Sequence, residues 1–293
     1  MTAASSPLAS PLAIVVLAAG KGTRMKSDLH KVLHPIAGRP MLMHLLASAA
    51  ELAPARQVVV AGHGREQLEA ALGGAATIAV QDPQLGTGHA VQQAEGALQG
   101  FDGDVLILYG DVPFVRAETM RAMLERLHGD DNPAVVVLGF EPADTLQYGR
   151  VIAQGGVVKK MVEHKDASEE ERACRLCNSG LMAVRGAELF GLLARVTNDN
   201  AQAEYYLTDI VNVANRDGRV CAVVVTDDAD EVMGINSRGE LAVAEARWQD
   251  RRRAVAMAEG ATLVAPETVW FAHDTVVGRD VVGSGRDDVG VSE

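Results

Sequence analysis

The chain is 293 residues long, 48% apolar and 23% charged, with a formal net charge of −12. That length buries a substantial core in one large domain or two smaller ones, and an acidic chain with no basic stripe excludes a nucleic-acid surface. Three cysteines (Cys174, Cys177, Cys221) are too few for a disulfide framework and point to a reducing, cytoplasmic setting.

The first ten residues are rich in Ser, Ala and Pro and lack the basic start of a signal peptide, and the apolar run after them is too short for a bilayer. Residues 1–11 are therefore expected to be a disordered extension of a protein without a membrane partner. Leu12–Leu17 reads as a buried strand running into Ala18, Ala19 and Gly20, then into Lys21, Arg24 and Lys26. Small residues after a strand let backbone N–H groups approach a ligand, and the cations add fixed charge, so the loop suits a polyphosphate. Met25 occupies the place of the third glycine of a dinucleotide fingerprint, and the Walker A spacing is absent. Residues 20–40 carry Lys21, Arg24, Lys26, Lys31 and Arg39 against Asp28 alone, which reads as one anionic ligand held at one place.

Further strands are predicted at Gln57–Ala61, Ala76–Val80, Val105–Tyr109 and Ala134–Leu138. Helices with apolar spacing are predicted at Met41–Leu52, Arg65–Leu72, Gly88–Leu98 and Glu118–Leu127. Apolar strands separated by helices indicate βαβ units and a parallel sheet covered on both faces. Ligands of such sheets bind beyond the carboxyl ends of the strands, so Ala18–Lys26, Gln81–Thr87 and Gly110–Pro113 should share one rim. Asp111 follows a strand on that rim, where a carboxylate is either a Mg²⁺ ligand shared with phosphate or a turn or helix-capping aspartate. Gln81 and Gly86-Thr87-Gly88 favour contact with a planar polar group or a phosphate.

In the second half, Arg150–Ile152 and Val157–Val162 read as a hairpin turned by Gly155-Gly156. Glu163–Arg172 is a charged run, expected as a solvated loop or short helix, with a mobile lid as the sharper alternative. Cys174-x-x-Cys177 lacks a second pair at zinc spacing and reads as two plain thiols. Gly180–Val184 and Val220–Val225 add strands, and Glu188–Ala194 and Leu207–Arg216 add helices. Leu241–Ala258 is helical, with Arg251-Arg252-Arg253 expected as a solvated helix end. Val264–Val269, Phe271–Val276 and Val277–Val282 resemble hexapeptide repeats, one coil of a parallel β-helix, before the pattern dissolves.

Leu17-Ala-Ala-Gly-Lys-Gly-Thr-Arg-Met25, Lys31-Val-Leu-His34, Gln84-Leu-Gly-Thr-Gly-His-Ala90 and Tyr109-Gly-Asp-Val-Pro113 occur in the order seen in sugar-nucleotide pyrophosphorylases. With Tyr148-Gly-Arg150, Val162-Glu-His-Lys-Asp166, Asn178-Ser-Gly180 and Glu204-Tyr-Tyr-Leu-Thr-Asp209, residues 11–282 resemble the bacterial bifunctional N-acetylglucosamine-1-phosphate uridylyltransferase/glucosamine-1-phosphate acetyltransferase family. The resemblance implies a glycosyltransferase-A-like, Rossmann-like α/β fold with a mixed, mostly parallel sheet over residues 12–236. A linker helix over 237–260 and a truncated start of the left-handed β-helix domain over 261–293 would follow. It implies transfer of UMP from UTP to N-acetylglucosamine 1-phosphate, for peptidoglycan and lipopolysaccharide, with Mg²⁺ held by Asp111 and Asn236.

On the same footing, Leu17, Ala18, Ala19 and Gly20 would meet the nucleotide, with Tyr109 and Gly110 beside Asp111 and with Gln81, Gly86 and Thr87 around uracil. Lys31 would bind phosphate and act with Arg24 in catalysis as pyrophosphate leaves. Gly149, Glu163 and Asn178 would recognise the N-acetylated sugar. His30 stands where the family has proline, and Cys177 lies in a segment that is normally more polar or aliphatic. Most of the family's acetyltransferase half is missing, which suggests a truncated or frameshifted product without acetyltransferase residues. The family is a homotrimer through its β-helix, so this chain is expected to be monomeric or weakly associated.

Overall fold

The structure, a computed structural model, describes residue 8 and residues 10–284. Most of the predicted extension 1–11 and the atypical tail 285–293 thus lie outside the described residues. In chain order the first half contains β1 (Leu12–Ala18), β2 (Pro35–Ile36), β3 (Arg39–Pro40), α1 (Met41–Ala50), β4 (Arg56–Ala61), α2 (Arg65–Leu72), β5 (Thr77–Val80), α3 (Thr87–Gln92), β6 (Asp104–Tyr109), α4 (Ala117–Leu127) and β7 (Val135–Phe140). The second half adds β8 (Arg150–Gln154), β9 (Val157–Val162), α5 (Glu169–Arg172), β10 (Cys177–Arg185), α6 (Gly186–Leu193), α7 (Asp209–Arg216), β11 (Cys221–Thr226), α8 (Arg238–Ala258), β12 (Thr262–Val264) and β13 (Val282–Ser284).

Nine strands form one sheet in the order β5-β4-β1-β6-β10-β7-β11-β9-β8. β5, β4, β1 and β6 pair in parallel, and so do β7 and β11. β10 lies between β6 and β7 antiparallel to both, which makes the sheet mixed, as the resemblance implies, where the βαβ rhythm of the first half indicated only its parallel part. Repeated βαβ units build the first four strands. β7 then cannot pair with β6 because β10, arriving later in the chain from the opposite direction, takes that edge. The result is one mixed sheet with helices packed on both faces.

Period-two alternation along the strands divides the core between two faces. Leu12, Ile14 and Val16 of β1 pack with Leu42 and Leu45 of α1, Leu68 of α2 and Met120 and Leu124 of α4. Ala13, Val15 and Leu17 face the other way, toward Val91 of α3, Leu189 of α6 and Ile210 and Val213 of α7. Each such buried aliphatic side chain contributes about 1.5–3 kcal/mol. The predicted helix over 88–98 is shorter: α3 stops at Gln92, and a 3₁₀ turn over Gly96–Leu98 follows. The β8–β9 hairpin turns at Gly155 and Gly156, both at positive φ (58° and 79°), which glycine adopts at little cost.

Of the Arg251–Arg253 triplet expected as a solvated helix end, Arg251 is exposed, but Arg252 is half-buried and Arg253 buried. Arg253 is buried and donates to the Val269 carbonyl, Arg252 donates to the Thr275 carbonyl, and Arg251 bridges to Asp228. Arginine suits this role because its fork reaches several acceptors while its stem packs against apolar neighbours. Gln249 of α8 pairs with the backbone of Phe271 through both amide atoms, at 2.7 and 2.8 Å. These ties fasten the last coil to α8, and β12 and β13 pair in parallel, Thr262 beside Val282. Among the described residues no helix is long and apolar enough to cross a membrane.

Candidate active site

The three loops expected on one rim meet at a cleft of about 430 Å³ lined by Leu17, Ala18, Ala19, Gly20, Lys21, Lys31, Gln81, Gly86, Thr87, Tyr109 and Asp111, among others. The glycine-rich turn after β1 is shaped by its own chain. Gly22 sits at φ 59°, and a Cβ there would lie 2.6 Å from Cβ of Lys31. Met25 is buried, and its carbonyl accepts from Nε of Arg238 at the start of α8. The turn is therefore anchored from beneath while its cations stay outward. Lys21 reaches the cleft, whereas Arg24 is exposed on the Thr23–Met25 turn and is not among the lining residues.

Lys31 carries the central observation. Its ammonium donates to Oδ2 of Asp111 and, at 2.6 Å, to Oδ1 of Asn236. These residues lie 80 and 205 positions away in sequence. Two constraints bring Asn236 to that point. The N–H of Ile235 donates to the Asp111 carbonyl at 2.9 Å, and the N–H of Asn236 donates to Glu240 in the first turn of α8. Gly110 is buried behind Asp111, its backbone N–H given to Leu17. Asp111 thus sits in the turn after β6 with its carboxylate on the cleft wall, paired with Lys31; among the described residues it caps no helix.

Gln81 is buried where β5 ends, and its carboxamide nitrogen donates to the Gly86 carbonyl at 2.9 Å. Gly86 (φ 112°) lies against the backbone of Tyr205, where a Cβ would meet the Tyr205 carbonyl at 2.6 Å. Thr87 opens α3 and accepts from the N–H of Leu207 at 2.9 Å. Residues 204–207 therefore form a strap behind the Gly86 loop, and Glu204 contributes to the cleft wall.

Gly149, Glu163 and Asn178 form a second corner. The N–H of Asn178 donates to the Gly149 carbonyl at 2.9 Å, and a Cβ on Gly149 would stand 3.2 Å from Oε2 of Glu163. Glu163 accepts from the Thr208 hydroxyl at 3.2 Å. Burial pushes the Glu163 carboxyl above its ordinary value, and the Thr208 hydrogen bond opposes this. Tyr109 joins the two corners. Its ring lies where a Cβ on Gly180 would meet it at 2.8 Å, and burial together with the Glu163 charge holds its phenol protonated. Arg150, buried and without a carboxylate partner among the described residues, donates to the Tyr148 and Arg172 carbonyls and fixes the Gly149 turn from behind.

The charged run contains the short helix α5, with Ser168 and Glu171 forming a reciprocal capping box. His30 has φ −54°, an angle proline also adopts, but its N–H donates to Oε1 of Gln67 at 2.8 Å, which proline cannot do. Burial pushes the His30 imidazole below its ordinary value. Cys174 and Cys177 are free thiols beside backbone carbonyls.

Lys21 reads among the cations of the turn, and Gln84, Glu204 and Thr208 stand in the motifs without a role of their own; the structure places Lys21, Gln84 and Glu204 on the cleft wall and Thr208 against Glu163. Gln84 donates to the Ala19 carbonyl from across the cleft. The charge of Lys21 and the Glu204–Asp209 motif were visible signals, but which way each faces depends on packing.

Residues 14–265 match the MobA-like NTP transferase domain. The chain is 84% identical over 272 residues to the bifunctional protein GlmU of Novosphingobium aromaticivorans and 73% identical over 272 residues to that of Sphingopyxis alaskensis. In both cases 93% of this chain and 60% of the relative are covered, so the chain spans about three-fifths of the length of these curated relatives. Among solved structures, a putative glucose-1-phosphate thymidylyltransferase from Bacillus anthracis superposes with a TM-score of 0.66 at 18% identity, covering 80% of this chain and 94% of that one. A UDP-glucose pyrophosphorylase gives 0.64 at 18%, covering 83% and 100%. These two establish the fold. With the match running from β1 into β12, the chain belongs to the MobA-like NTP transferase family of nucleotidyltransferases.

Proposed function

We propose that the chain transfers UMP from UTP to N-acetylglucosamine 1-phosphate, releasing pyrophosphate and forming UDP-N-acetylglucosamine for cell-wall and lipopolysaccharide synthesis in the cytoplasm. The observation that carries the reading is the Lys31 ammonium held between Asp111 and Asn236 on the wall of the cleft that the turn after β1 lines. The GlmU names of the relatives point the same way.

In this reading the turn after β1 binds the triphosphate through backbone N–H groups, and Gln81, Gly86 and Thr87 enclose the uracil. Gly149, Glu163 and Asn178 seat the sugar, their carboxylate, amide and carbonyl suiting the hydroxyls and amide of an N-acetylated ring. The sugar phosphate oxygen attacks the α-phosphorus as the bond to the β-phosphate oxygen breaks. Such a reaction needs alignment and charge neutralisation rather than a covalent nucleophile. Lys31 and Arg24 stabilise the charge that moves onto departing pyrophosphate.

The donor set fits Mg²⁺. Oδ2 of Asp111 and Oδ1 of Asn236 are hard oxygens already directed at one shared cation, with phosphate oxygens left to complete the shell. When bound, the ion would supply further neutralisation of the phosphates. Residues 237–260 serve as linker, residues 261–284 as the start of a β-helix, and acetyl transfer is not assigned to this chain.

The test is incubation with UTP, Mg²⁺ and N-acetylglucosamine 1-phosphate, following pyrophosphate. Release that falls by orders of magnitude in Asp111→Ala and Lys31→Ala, with circular dichroism unchanged, supports the reading. Release no greater than that of Asp111→Ala defeats it. Glucose 1-phosphate as competitor tests the sugar corner, and equal use of the two sugars removes the role given to Glu163 and Asn178.

A further inference from the structure

We propose that Arg238, in the first turn of α8, is a positioning residue for nucleotide transfer, setting the cationic segment 24–34 against the oxygens of Asp111 and Asn236. The inference rests on the proposed function and adds a residue that need not touch either substrate.

Arg238 reaches two points of the chain, 213 and 204 positions away. Its Nε donates to the Met25 carbonyl at 3.1 Å, and its Nη1 lies 3.4 Å from Nδ1 of His34. A guanidinium only donates, so Nδ1 accepts. Burial first, and the Arg238 charge after it, push the His34 imidazole below its ordinary value, which suits an accepting, neutral ring. Met25 and His34 stand on either side of Lys31 in the chain. Arg238 therefore holds this segment at two points with Lys31 between them.

The segment needs such a hold. Gly22 and Lys26 bracket the Thr23–Met25 turn, both in the left-handed region at φ 59° and 48°. For a lysine that conformation is uncommon and persists where the surroundings fix it. Arg24 belongs to this turn and adjoins the residue whose carbonyl Arg238 holds. The oxygens of Asp111 and Asn236 have supports of their own, in the hydrogen bond from Ile235 to Asp111 and in Glu240. Loss of Arg238 thus releases the cations while the oxygens stay in place. Arg238 is itself exposed, so its replacement leaves the core intact.

The test is steady-state kinetics with UTP, Mg²⁺ and N-acetylglucosamine 1-phosphate in the full chain and in two variants. Arg238→Met keeps the stem and removes the donors. Its kcat is expected to fall at least tenfold, with KM for N-acetylglucosamine 1-phosphate within twofold of wild type. Arg238→Lys, which keeps charge and donors, is expected to recover part of the loss. Mn²⁺ binding without nucleotide, followed by paramagnetic resonance, should be unchanged in Arg238→Met. A folded Arg238→Met with wild-type kcat overturns the proposal. So does a loss of Mn²⁺ affinity that matches the loss of kcat, because the whole site would then have loosened. Calorimetry with inorganic pyrophosphate needs no turnover: binding at least fivefold weaker in Arg238→Met is expected, and equal affinity overturns the proposal. A wild-type chain that releases no pyrophosphate would instead overturn the proposed function.

Discussion

Lys31 shows how one side chain serves two charge states of a site. In the free protein its ammonium neutralises Asp111 and occupies the position that the oxygens of Asp111 and Asn236 share. In the proposed function a divalent ion entering there would displace it and free the ammonium for a phosphate. Lys31→Ala removes this competitor and leaves the Asp111 charge unpaired. Mn²⁺, followed by its paramagnetic resonance signal without nucleotide, is therefore expected to bind the variant several-fold more tightly, although turnover falls. Equal affinity in the two proteins would separate Lys31 from the metal oxygens. Glu163 makes a second prediction at this scale. Its carboxyl is raised by burial, so the folded state holds the proton more tightly than the unfolded chain does. The cost of ionising it is absent below the ordinary glutamate range, grows as pH rises through the raised value, and is complete above it. Glu163→Gln is expected to raise the melting temperature at neutral pH, with the difference vanishing in acid, while sugar binding is lost. A melting difference independent of pH would contradict this.

At the scale of elements, the site depends on loops that hold each other rather than on loops that are rigid alone. The Gly86 turn is clamped by Tyr205, whose N–H donates to the Leu85 carbonyl and whose carbonyl accepts from Gly88, both at 2.8 Å. A Cβ at position 86 would meet that clamp and be strained at φ 112°. Gly86→Ala is expected to cost about 1–3 kcal/mol of stability and to weaken UTP binding at least tenfold by calorimetry. Gly96→Ala is the control, because a Cβ there meets nothing within 4 Å and its backbone is not at positive φ. It should leave both quantities unchanged. α8 works similarly at its two ends: its first turn places Asn236 through Glu240, and Gln249 and Arg253 near its end hold the last coil.

For the whole molecule, the sheet gathers the site and the C-terminal coil sits apart from it. Trp270, Val276 and Val282 are 58%, 89% and 68% exposed on that coil. Scattered apolar residues of this kind fall short of the roughly 1,000 Å² or more that a specific interface buries. The chain is expected to sediment as a monomer of 30.9 kDa with nucleotide transfer independent of protein concentration. A stable trimer would show that the single coil is enough for association. Such a monomer should keep its transfer activity, because every residue assigned to the site comes from one chain.

The sequence by itself determined the alternation of strands and helices, the rim at which three loops meet in a cleft and the cationic turn after β1, because these follow from local periodicity and from residues adjacent in the chain. Motif order also marked Asp111, Lys31, Gln81 and Glu163. Only the tertiary structure decided which of them meet. Asn236 reaches Lys31 across 205 positions through a hydrogen bond from Ile235 to Asp111, and no spacing rule encodes such a contact. The reversed strand β10 was hidden for the same reason: its pairing partners are chosen by sheet edges that exist only once the other strands are in place. Arg252 and Arg253 were misjudged because charge suggests solvent, whereas burial depends on the carbonyls that a later segment brings to them. Arg24 marks the boundary of this legibility. Its charge and place in the turn are local facts, but its exposed position at the edge of the cleft was decided by how the turn docks on α8.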